Sequence, residues 1–183
     1  MTEIATTTER KPVVKNTQTL AKAGQYLTFM LNGEVYALGI LNIKEIIAYG
    51  ELTEVPMMPD FVRGVINLRG SVVPVIDLMA RFGKGMTPIA KRSGIVIVET
   101  ENGGEGSHDI GIIVDAVNEV IDIAQQEIEP PPNFGIGIRP DFINGMAKSN
   151  GRFIILLNGN RVLSVDEMAA LSEAGETRPL DIE

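Results

Sequence analysis

The 183-residue chain has no cysteine and no tryptophan, a single histidine, and only 5% aromatic residues. Without cysteine there is no disulfide, no thiolate nucleophile and no cysteine-ligated metal site, a composition that fits a reducing compartment. No apolar run approaches the roughly 18 residues needed to span a bilayer. The start, MTEIATTTERK, lacks the apolar stretch of a secretory signal. Positive charge is in deficit too, with 16 Lys and Arg against 24 Asp and Glu and a net charge of −8. Replacing counterions on a nucleic acid takes a basic stripe, so nucleic acid is not an expected partner. A soluble cytoplasmic protein with no direct membrane insertion is expected.

Catalytic chemistry is equally short of parts. Acid–base work near neutral pH draws on histidine or a tuned carboxylate. His108 sits in a Gly-rich polar stretch, ENGGEGSHD, with no second histidine and no G-x-S-x-G serine. Asp115, Glu119 and Asp122 form an acidic run. On a strand its spacing puts Asp122 on the face opposite the other two, which is a solvated surface and not a metal cage. GKGMT lacks the rest of a phosphate loop. No catalytic residue, cofactor or metal is expected.

What the chain does have is Ile, Val and Leu punctuated by 19 Gly and 10 Pro, the marks of many short strands. Residues 1–24 read as a flexible tail. Asn32-Gly33 between two alternating runs signals a hairpin. GVINLRGSVVPVIDL reads as two strands about a turn at Arg69-Gly70, with Pro74 marking an edge or a bulge. Asp77 is positioned to cap the short turn LMARFG. GIVIVET and HDIGIIVDAVNEVIDI read as a further strand pair. The C-terminal stretch 166–183 reads as a helix and tail, with Ser164 and Glu167 as a capping box.

The framework is written twice. Pro59, Asp60, Phe61, Gly64 and Gly70 return as Pro140, Asp141, Phe142, Gly145 and Gly151, at a constant offset of 81. Ile40–Ile47 aligns with Val114–Ile121 at an offset of 74, so that Ile43 matches Val117 and Glu45 matches Glu119. The additional residues fall in the connector 130–139, where insertion is tolerated. Two copies of a five-stranded β module follow. The repeat also makes Asn158 the counterpart of Asp77, which predicts a strand-to-helix corner there and not a hairpin. At Arg69 the second copy has Asn150, a good turn former. The turn therefore does not demand arginine, and a partner surface, with Glu45 as a possible acidic mate, is the functional reading against a bland solvated one. The apolar excess around Ile43, Ile112, Val114 and Val117 is core by default, or else part of a partner strip.

With these stretches in place, the chain resembles the CheW chemotaxis coupling-protein family. The resemblance covers residues 25 to about 170 and rests on YLTFMLNGEVYALGILNIKEII, on Gly64–Leu78 with its N-L-R-G turn, on IGIIVDAVNEV and on PDFINGM. It implies a mostly β fold of two SH3-like five-stranded barrels with a hydrophobic groove between them and a short C-terminal helix. The first barrel would span about 25–90 and the second about 91–165, with strand exchange between them left open. It implies a non-enzymatic adaptor that bridges the chemoreceptor cytoplasmic tip to the regulatory domain of the histidine kinase CheA in membrane-associated arrays. The isolated protein is expected to be a monomer. Carried over residue by residue, the binding positions are Gly64, Asn67 and Arg69, then Ile43 and Glu45, then Ile112, Val114 and Val117. The alternatives are an auxiliary coupling protein of a non-chemotaxis array and a small-ligand-binding β-barrel.

Overall fold

The structure, a computed structural model, describes residues 24–101, 106–131 and 137–164. The flexible tail expected over 1–24 lies outside them but for Gly24, as does the expected C-terminal helix after Ser164. The strands are β1 (Gln25–Leu31), β2 (Glu34–Gly39), β3 (Ile43–Ala48), β4 (Val62–Leu68), β5 (Ser71–Asp77), β6 (Gly94–Glu101), β7 (Ser107–Val114), β8 (Ala116–Asp122), β9 (Ile143–Ser149) and β10 (Arg152–Leu157). Two single-turn helices follow β5 and β10: α1 (Leu78–Arg81) and α2 (Gly159–Val162). Among the described residues no helix is long and apolar enough to cross a membrane.

Local signals place the corners. Asn32 and Gly33 take φ values of 51° and 80°, the left-handed pair that a two-residue hairpin requires. Replacing Asn32 by alanine, which tolerates that region poorly, should lower stability by about 1 kcal/mol in urea unfolding. Asp77 caps α1 by accepting from Met79 N and Ala80 N, and Asn158 caps α2 by accepting from Arg161 N. The strand-to-helix corner at Asn158 is therefore present.

The strands form two five-stranded sheets, ordered β8-β1-β2-β10-β9 and β3-β6-β7-β5-β4. Their architecture accords with paired SH3-like barrels, but neither sheet is one half of the chain. The hairpin β1–β2 precedes β3–β5 in sequence yet joins β8–β10, and β6–β7 precedes β8–β10 yet joins β3–β5. Each copy thus lends its hairpin to the other. The exchange is sealed by two short parallel pairings, β2 with β10 and β5 with β7. A boundary near residue 90 separates the copies in sequence and not the sheets in space. Pro74 lies just before the β5 segment that pairs with β7, so its missing N–H falls where that ladder has not begun.

Two other readings change. HDIGIIVDAVNEVIDI is not one strand but β7 and β8, in different sheets, divided at Asp115. There the Asp115 amide donates to Met30 O at 2.9 Å and its carboxylate accepts from Asn32 N at 2.8 Å. That fastens the crossover to the β1–β2 turn. His108, at the end of the Gly-rich polar stretch, lies in β7 opposite Thr100 and so belongs to a strand.

Burial is arranged in three layers. One cluster lies within each sheet: Tyr26, Ala37, Ile123, Ala147, Ile154 and Leu156 in the first, and Val73, Val75, Ile95, Ile97 and Ile113 in the second. The largest cluster joins the two sheets through Phe29, Tyr36, Leu38, Ile76, Val96 and Ile112, among others. Successive residues of β6 and β7 therefore point into different cores, which is why these strands read as unbroken apolar runs. Phe61 and Phe142, the repeated phenylalanines, are both buried in the joining layer. The Arg81 guanidinium lies 5.0 Å from the centroid of one ring and 4.7 Å from the other. Its Nε donates to Val162 O at 3.1 Å. One cation thus ties α1 to α2 and stacks on both copies of the motif.

Candidate functional site

The site is built on the β4–β5 hairpin tip. Arg69 and Gly70 adopt φ 54° and 87°, and Asn150 and Gly151 adopt 53° and 80°. The two tips have the same conformation, which asparagine and glycine favour and arginine does not. Asn67 steadies the first tip by accepting the Gly70 amide at 2.9 Å. The Arg69 side chain then reaches Glu45 on β3 in a fork, Nη1 on Oε1 and Nη2 on Oε2, the latter at 3.2 Å.

That contact has a structural meaning beyond a surface pair. β3 and β4 are the two edges of their sheet and share no ladder. Arg69, one residue past β4, clips one edge to the other across the seam. Glu119 and Asn150, the repeat counterparts in the other sheet, do not form such a pair. The Arg69 side chain is 76% exposed and that of Glu45 only 25%, so the carboxylate anchors the guanidinium while its outer edge stays open to a partner. A pair this exposed contributes about 0–1 kcal/mol to stability.

The expected binding residues divide. Glu45, Asn67 and Arg69 come together at the tip, and Ile43 is half-buried on the same edge strand as Glu45. Val117 lies half-buried on β8, in the other sheet. Ile112 and Val114 are corrected: both are fully buried in the layer between the sheets and present no side chain to a partner. Gly64 is buried as well, and a Cβ there would lie 2.6 Å from Thr53 O. Its requirement is the close approach of β4 to the segment before it, not recognition.

The sequence reading missed a buried polar centre at the other end of the same hairpin, where β5 finishes. The Asp77 side chain is fully buried and accepts from Arg63 Nη1, from Thr87 N and from Thr87 Oγ1, each at 2.7 Å, besides capping α1. One carboxylate so fixes β4, the helix and the segment around Thr87. Also missed was Val72, a large apolar side chain exposed beside Asn67, whereas Ile46, exposed beside Glu45, belongs to the apolar excess around Ile43. Only Asp77's capping role had a local signal.

Comparison with known proteins gives the family. The family model described as CheW-like domain matches residues 25–167. The chain belongs to the CheW-like domain family. Chemotaxis protein CheW of Klebsiella aerogenes is 30% identical over 153 residues, covering 84% of this chain and 89% of that protein. The Bacillus subtilis CheW is 34% identical over 140 residues, covering 75% and 85%. Protein FrzA of Myxococcus xanthus is 31% identical over 133 residues, covering 72% and 79%. Among solved structures, the scaffolding protein TtCheW from Thermoanaerobacter tengcongensis superposes with a TM-score of 0.69 at 39% identity, covering 79% of this chain and 90% of that one. The CheW-like domain thus takes in all ten strands, both hairpin tips and the Glu45–Arg69 clip.

Proposed function

We propose that this CheW-like protein is a non-enzymatic scaffold that couples the cytoplasmic tips of transmembrane chemoreceptors to the histidine kinase CheA. It works in the cytoplasm and is recruited to membrane-associated arrays. The supporting observation is the exposed arginine fork at a turn that would be better served by asparagine, clipped to Glu45 across the sheet seam. Glu45 and Arg69, with Ile43 and Asn67 beside them, form the contact surface. The solved relative's description as a scaffolding protein points the same way. A scaffold transmits receptor state only through contacts that differ between states, and such coupling is typically about 1–3 kcal/mol. Weak individual contacts gain strength from multivalency in an array.

The test is reconstitution from receptor cytoplasmic fragments, the kinase and this protein. The expected result is co-sedimentation of all three and a change in kinase autophosphorylation that requires the scaffold. Failure to bind either partner, together with kinase activity indifferent to its presence, would overturn the reading. The match to FrzA, a relative not named CheW, favours one second reading: an auxiliary coupling protein of a non-chemotaxis array. The receptors and kinase recovered by affinity capture from the source cells separate the two.

A further inference from the structure

The two copies treat one position of the fold in opposite ways. In the first, Arg63 reaches inward to the buried Asp77 at 2.7 Å. At the same offset of 81 the second copy has Asn144 and Asn158. The side chain that plugs the first copy is absent from the second, and the space beside it differs accordingly. The notch lined by Glu51 and Arg63 measures about 360 Å³. Its counterpart, lined by Gln125 and Asn144, opens to about 700 Å³.

The chemistry of that wider cleft is distinctive. In a chain of net charge −8, no described residue lining it is Asp, Glu, Lys, Arg or His. Five carboxamides face it instead: Asn42, Gln125, Asn144, Asn158 and Asn160. Among the described residues, only one of these side chains has a protein hydrogen bond, Asn158, whose oxygen accepts from Arg161 N and whose amino group is uncommitted. Leucines, Ile128, two glycines and the buried Tyr26 form the remaining wall.

We propose that this cleft is a second binding site, for an uncharged extended peptide segment of a partner, held through its main chain. A carboxamide presents one acceptor and two donors side by side, the complement of a peptide C=O and N–H. Several around one cleft match successive peptide groups whatever the side chains. A charged ligand would lose hydration there and gain no counter-charge. A sugar commonly needs an exposed aromatic face, and the one ring present is buried. The volume is that of a specific small site. Neither receptor nor kinase chemistry enters this argument, so the site stands or falls separately from the coupling role.

The probe is N-acetylglycine N-methylamide, which carries two peptide groups and no charge, titrated into the full chain labelled with nitrogen-15. Saturable shifts of the side-chain amide signals of Asn144, Asn158 and Asn160 are expected, with no comparable response to acetate, methylammonium or glucose. The double variant Asn144→Arg, Asn158→Asp transplants the first copy's plug and keeps a capping residue at 158. Its affinity for the probe should fall about tenfold or more. Asn160→Ala, which removes one amide at an exposed position and leaves the cap alone, should weaken binding severalfold and keeps the test decisive if the double variant folds poorly. Absence of saturable shifts, an equal response to acetate or glucose, or undiminished binding in the folded variants would each overturn the proposal.

Discussion

Asp77→Ala should destabilise the protein by about 3–5 kcal/mol, the usual cost of removing one partner of a buried ion pair. The carboxylate is fully buried, while Arg63 retains 20% side-chain exposure. Its loss leaves the Thr87 amide and hydroxyl with nothing better than poorly placed water to donate to, and leaves the Arg63 guanidinium only Thr87 O, at 3.2 Å, and no counter-charge. It also removes the cap of α1. Against a total stability of about 5–15 kcal/mol this is a large fraction, and the midpoint of thermal unfolding should fall by roughly 10 °C. Calorimetry and urea titration measure it; a loss under about 1 kcal/mol would show that water replaces the carboxylate freely. The second copy supplies the companion variant. Arg63→Asn with Asp77→Asn reproduces Asn144 and Asn158, and should cost less than the sum of its single changes, with a coupling of about 1–3 kcal/mol.

The same centre shows where sequence reading stops. Asp77 announces itself as a cap because a cap is a local event: a carboxylate one residue before a helical turn. Nothing local announces that Arg63 and Thr87 converge on it, since their approach depends on how β4 and the segment after α1 are folded back. The turns at Asn32-Gly33 and Arg69-Gly70 were legible for the local reason, and the repeat made the corner at Asn158 legible by analogy with Asp77. The hairpin exchange was not, because β2–β10 and β5–β7 are long-range parallel pairings that leave no periodic mark.

Ile112 and Val114 were misplaced through a similar blindness. An apolar strip on a barrel strand looks surplus when each barrel is imagined alone with one interior. Here β7 serves two interiors, its Ile113 facing the core within the sheet while Ile112 and Val114 face the layer between sheets. The excess that suggested a partner's footprint is the internal partnership of the two copies. Arg69 was singled out because the comparison between copies is itself a control: the same turn conformation, with arginine in one copy and asparagine in the other.

That control defines the sharpest functional experiment. Arg69→Asn gives the first tip the residue that the second tip carries at an equal φ. Relieving an arginine of the left-handed region should recover about 1 kcal/mol, and losing a pair that is 76% exposed on the arginine side should cost about 0–1. Stability should therefore change by no more than about 1 kcal/mol. Receptor-dependent control of the kinase should fall at least about fivefold, the lower end of a 1–3 kcal/mol coupling. Arg69→Lys should share the defect, because an ammonium cannot fork onto Glu45 and a partner at once. Glu45→Gln then separates two mechanisms. If the arginine acts through the seam clip, this variant loses coupling as Arg69→Asn does. If the guanidinium meets the partner directly, coupling survives in Glu45→Gln with only a modest loss, since the donors remain and merely lose their anchor. A midpoint lowered by many degrees with coupling intact would assign Arg69 to the turn instead, and would leave unexplained why the copy with asparagine makes the same turn without it.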